Sequence, residues 1–115
     1  MQSSIVVIGI CAPDDTQMLR NILDCAACQV EPPGVSVCIV AADDNATADR
    51  QSVIDEFKAA VHPITYIRST AATIDAVLQK ARELRADRVA FLAESADADW
   101  LAQKLQLVVD GVAAQ

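Results

Sequence analysis

The sequence predicts an α/β domain built on an open parallel sheet of four strands, with helices packed on it. Three observations carry this. Four apolar, strand-like runs alternate with four helix-like segments. The first two runs, Ile5 to Cys11 and Val35 to Ala41, are almost unbroken in apolar character, as strands covered on both faces are. Turn-forming clusters punctuate the units: Pro13-Asp14-Asp15, Pro32-Pro33-Gly34 and His62-Pro63. Strands joined through helices in this way need right-handed crossovers.

Taken in order, the first strand is Ile5 to Cys11. The first helix is expected from about Thr16 to Gln29, with Leu19, Ile22, Leu23 and Ala26 on its inner face. The second strand is Val35 to Ala41. Asp43, Asp44, Asn45 and Thr47 then form a loop rich in helix N-cap candidates. The second helix is expected from about Asp49 to Val61, burying Val53, Ile54, Phe57 and Val61. Ile64 to Arg68 alternates more than the earlier runs, which suits an edge strand. The third helix is expected from about Thr73 to Arg85, with Ile74, Val77, Leu78, Ala81 and Leu84 inward. A fourth strand lies within Asp87 to Ala93. The last helix is expected from about Ala98 to Val112, burying Leu101, Leu105, Val108 and Val112.

The 115 residues make one domain of ordinary size. With 53% apolar but only 3% aromatic residues, the core must be built from Ala, Val, Ile and Leu. The net charge is −7 without a basic cluster, which argues against nucleic acid and against anionic membrane surfaces. No apolar run approaches the roughly 18 residues of a membrane span. The start, Met1-Gln2-Ser3-Ser4, lacks the cationic opening of a secretory signal. A cytoplasmic location is the expectation. There the four cysteines, Cys11, Cys25, Cys28 and Cys38, are expected as thiols.

Cys25 and Cys28 have the spacing of a redox or metal pair. They fall late in a helix, where the dipole disfavours a thiolate, and no second Cys or His pair stands nearby. Cys25 also lies off the apolar stripe, so both read as small helix residues. Gly9, Gly34 and Gly111 are the only glycines, so a glycine-rich phosphate loop is absent. His62 is the only histidine, and its place before Pro63 makes it a helix end and not a base. No Ser-His or Cys-His pair suggests a nucleophile.

In a parallel sheet of this kind, ligands bind at the carboxyl ends of the strands. The loops there offer Asp14 and Asp15; Asp43, Asp44 and Asn45; Ser69 and Thr70; and Glu94, Ser95, Asp97 and Asp99. The gathered carboxylates could hold a divalent cation through oxygen ligands. They also suit helix capping: Ser95 can cap the last helix, with Asp97 and Asp99 in or near its first turn.

The order of segments and several strings resemble the family 2 glycosyltransferases. Leu19 to Gln29 is similar to the family's first helix. Val37 to Thr47, with Asp43-Asp44-Asn45, is similar to its second strand and Asp-containing loop. Ala90 to Leu101 resembles the stretch holding its metal-binding aspartates and a Trp-Leu pair, here Trp100-Leu101. The resemblance covers nearly the whole chain, residues 1–115. It corresponds only to the N-terminal, nucleotide-binding half of such an enzyme. It implies a three-layer, Rossmann-like GT-A sheet of order 3-2-1-4 and a nucleotide-diphospho-sugar ligand held with Mn²⁺ or Mg²⁺. Asp43 would lie against the uracil or ribose, with Asp14 and Asp44 on the same nucleotide side, and Glu94 would be the remaining metal ligand.

The departures bear on activity. The family's Arg-Asn pair falls on Leu78-Gln79, and its metal-binding triplet falls on Ala93-Glu94-Ser95. Loss of the metal would remove the main electrostatic stabilisation of the departing diphosphate. The half that carries the family's catalytic base has no counterpart here. The expectation is therefore a glycosyltransferase-like domain that is inactive by itself, without a catalytic residue, and has a binding or assembly role. Two alternatives stand beside it. One is an active nucleotide-sugar-binding subunit completed by a partner chain. The other is a receiver-like signalling domain, suggested by Asp14-Asp15 but lacking a fifth strand and its lysine.

In the family the fourth strand has neighbours on its outer side. Here Val89 to Ala93 stays apolar with no further strand to cover it. Trp100 and Leu107 form a second apolar stripe on the last helix. A homodimer is expected through the edge at Val89 and Phe91 or through the Trp100 and Leu107 face, although that wider face can also pack on the sheet.

Overall fold

The computed structural model describes residues 4–45, 47–58, 62–68, 73–92 and 98–113, with the side chains of 98–100 and 113 outside that description. Strands and helices alternate throughout: β1 (Ser4–Cys11), α1 (Thr16–Ala27), β2 (Val35–Asp43), α2 (Ala48–Phe57), β3 (Ile64–Arg68), α3 (Thr73–Glu83), β4 (Arg88–Leu92) and α4 (Ala98–Ala113). Every pairing is parallel, and the order is β3-β2-β1-β4. This is the expected α/β sheet with the 3-2-1-4 order of a Rossmann half. A receiver-type sheet sets strand 3 beside strand 1; here β3 lies outside β2. No helix among the described residues is long and apolar enough to cross a membrane.

The order dictates which face each helix covers. From β1 through β2 to β3 the chain steps in one direction, so right-handed crossovers put α1 and α2 on one face. From β3 it returns past β2 and β1 to β4, so α3 falls on the other face. The two apolar clusters divide accordingly. Val6, Ile8, Ile10, Val37 and Ile39 meet α1, α2 and α4 in the larger one. Val7, Val40 and Ala42 meet Val77 and Ala81 of α3 in the smaller one. One face thus carries three helices and the other only one.

α3 sits close because β1 has no side chain at Gly9. A Cβ there would stand 2.8 Å from Val77 Cγ1 and 3.0 Å from the Phe91 ring. At the other end of α3, Arg85 takes a left-handed conformation (φ 57°). The Ala86 N–H donates to the Ala81 carbonyl at 3.0 Å, and the turn leads the chain into β4.

Several inner-face assignments differ from expectation. α1 ends at Ala27 and not at Gln29, and α2 ends at Phe57; Val61 lies outside the described residues. α3 ends at Glu83, two residues early. Cys25, placed off the stripe of α1, is buried, because α4 and α2 both pack against α1 and cover its flanks. Ile74 is exposed and Leu78 and Leu84 are half-buried, since the lone helix on its face buries only a narrow strip. On α4 the buried residues are Leu101, Leu105, Val109 and Val112, and Val108 is 45% exposed. That stripe is centred so that Val108 stands about 55° away, at the rim.

Replacing Gly9 by Ala should lower the unfolding free energy by roughly 1–3 kcal/mol, through overpacking against Val77 and Phe91. Urea titration followed by circular dichroism measures this. A variant as stable as the parent would mean that α3 is not pinned at this contact.

Candidate functional site

Asp43 is the last residue of β2, two positions past the run expected to end at Ala41. The strand was expected to end at Ala41; it continues because Asp43 still pairs in register with Arg68 of β3. Its carboxylate is turned into the protein and the side chain is 0% exposed. Oδ2 accepts from Arg50 Nε at 2.7 Å and from the Tyr66 hydroxyl at 2.6 Å. Oδ1 accepts from the Asn45 N–H at 2.9 Å. It does not cap α2: Thr47 does, accepting from the Arg50 N–H at 3.3 Å.

Arg50 is equally committed. Its side chain is 3% exposed. Nη1 donates to the Asp14 carbonyl at 3.0 Å and Nη2 to the Pro13 carbonyl at 2.5 Å. One guanidinium therefore ties the end of β2 to the β1–α1 loop, using its planar fork as an ammonium could not. Tyr66 brings in β3.

The charges respond to this packing. Burial alone would raise the Asp43 carboxyl. Hydrogen bonds from Arg50, Tyr66 and the Asn45 N–H, with the Arg50 charge, outweigh it and hold the carboxyl below its ordinary range. The hydrogen bond to Asp43 raises Arg50 further despite its burial. Tyr66 is pushed up to about 12, first by burial and then by the Asp43 carboxylate.

The other expected site residues lie differently. Asp14 and Asp44 are exposed, and only the backbone of Asp14 joins the Arg50 cluster. Asp15 caps α1, its carboxylate accepting from the N–H groups of Gln17 and Met18 at 2.8 and 3.1 Å. Glu94, Ser95, Asp97, Ser69 and Thr70 lie outside the described residues, as do the side chains of Asp99 and Trp100. Val89 is half-buried, Phe91 is 42% exposed and Leu107 is 63% exposed. Among the described residues no three His, Cys, Asp or Glu groups converge where a metal ion could sit.

A second polar centre lies behind α1. The chain leaves the helix at Gln29, whose Nε2 donates to the Cys25 and Ala102 carbonyls at 2.8 and 3.2 Å. Buried His62, at the entry to β3, bonds through Nε2 to the Gln29 carbonyl at 2.6 Å. A carbonyl only accepts, so Nε2 is the protonated nitrogen. His62 Nδ1 stands 3.3 Å from Glu31 Oε1 without a hydrogen bond, and that oxygen accepts from the Val37 N–H at 2.8 Å. Gln106 of α4 exchanges two hydrogen bonds with the backbone of Val30, at 2.8 and 2.9 Å. These contacts stitch α1, α4 and β3 together. The Cys28 thiol donates to the Cys25 carbonyl at 3.2 Å, and none of the four cysteines is in a disulfide.

Comparison with families of known sequence, with characterised proteins and with solved structures finds no match for this chain.

Reading the sequence for apolar stripes missed Arg50 and Tyr66. A signal was present: Arg50 stands three and four residues before Val53 and Ile54, in helical phase with the buried face. A charged residue in that phase, in the first turn of the helix that follows a strand-end Asp, marks a candidate buried pair.

Two measurements check the cluster. The chain has one tyrosine, so absorbance at 295 nm reports Tyr66 alone; it should titrate near 12 in the folded protein, well above the value of about 10 for a free phenol. Because its folded value is raised, the stability it contributes is complete below about pH 10 and is lost as pH rises towards 12. Tyr66→Phe should remove this alkaline loss, and a midpoint near 10 in the folded chain would refute the buried contact. Separately, Arg50→Ala strands a buried carboxylate and should cost about 3–5 kcal/mol. Adding Asp43→Asn should recover part of that loss, and strictly additive losses would show that the two side chains do not interact.

Proposed function

We propose that this chain is a glycosyltransferase-like domain that does not catalyse sugar transfer by itself and works in binding or assembly. The observation that carries the reading is the capture of Asp43. The resemblance assigns this residue to the nucleotide. Its carboxylate is instead buried and engaged by Arg50, Tyr66 and the Asn45 N–H. Turning it towards a ligand would leave the Arg50 charge buried and unpaired, at a cost of about 3–5 kcal/mol. A ligand would have to recover that cost before gaining affinity.

The same cost weighs against the active subunit completed by a partner, because a partner chain cannot release Asp43 without it. Asp14 and Asp44 stand as exposed surface carboxylates. The 3-2-1-4 order weighs against the receiver-like reading. For the assembly role, the support is exposed apolar surface at Phe91 and on α4. Self-association of two copies, the partner that the sequence suggests, falls in this reading to the Leu107 side of α4. Leu107 stands about 155° from the centre of the buried stripe and so faces away from the sheet.

The test is titration of the ¹⁵N-labelled chain with uridine-diphosphate sugars and Mn²⁺, followed by NMR. No shift is expected at millimolar ligand. Saturable shifts at Asp43, Asp44 and Asn45, or turnover of the donor, would overturn the reading. Light scattering on the same samples should show a dimer that Leu107→Asp dissociates; a monomer at high concentration removes self-association from the proposal.

A further inference from the structure

We draw no further inference here: the strongest candidate, the buried His62 Nδ1 facing the Glu31 carboxylate at the entry to β3, brings together only two donor groups, and among the described residues no third His, Cys, Asp or Glu group joins them to hold an ion.

Discussion

The buried pair of Asp43 and Arg50 is the constraint on which the carboxyl end of the sheet depends. A lone carboxylate taken out of water at the end of β2 would cost several kcal/mol. Arg50 offsets that cost and then uses its remaining donors on the carbonyls of Pro13 and Asp14. Those carbonyls belong to a loop that has left β1 and has not yet entered α1, so no ladder or helix is there to satisfy them. Tyr66 adds β3 to the same carboxylate. One charge pair thereby ties the end of β2 to the first turn of α2 and to the β1–α1 loop. Replacing it with apolar side chains could preserve stability, but the two loop carbonyls would then need other partners.

That arrangement explains how a residue in a ligand-binding position can serve the fold instead. Open parallel sheets offer their strand ends to ligands because the loops there diverge. Divergence also leaves polar backbone groups that something must satisfy. Asp43 and Arg50 resolve the second problem at the expense of the first, since every polar atom they could offer a ligand already has a protein partner. At the other end of α1 the Gln29 amide donates to the Cys25 carbonyl of α1 and the Ala102 carbonyl of α4, and the Gln29 carbonyl accepts from His62 at the entry of β3. The polar interior of this small domain is given over to joining elements.

The layers of the fold were legible in the sequence, and the contacts between layers were not. The apolar runs of β1 and β2 and the breakers between units fixed four strand–helix units, and alternation is a local property. Asp43 stood out by its position after β2, but its role depended on Arg50 seven residues on and Tyr66 twenty-three residues on. Neither is visible in a stripe of apolar residues. Cys25 and Val108 were misplaced for a related reason. Periodicity ranks the faces of an isolated helix, whereas burial follows from how many neighbours surround it. α1 has two helical neighbours and buries an extra flank; α3 has none on its face and leaves Ile74 exposed.

The uneven layering also accounts for the open edge. Three helices crowd one face and a single helix serves the other, so β4 is supported by α4 from one side and, from the other, by Val89 packed on the α3 cluster and the Phe91 ring beside Gly9. A strand held this way is ordered by β1, and its outer hydrogen-bonding groups have no ladder partner among the described residues. Proteins usually blunt such an edge with charge, and exposed Arg88 opens this strand.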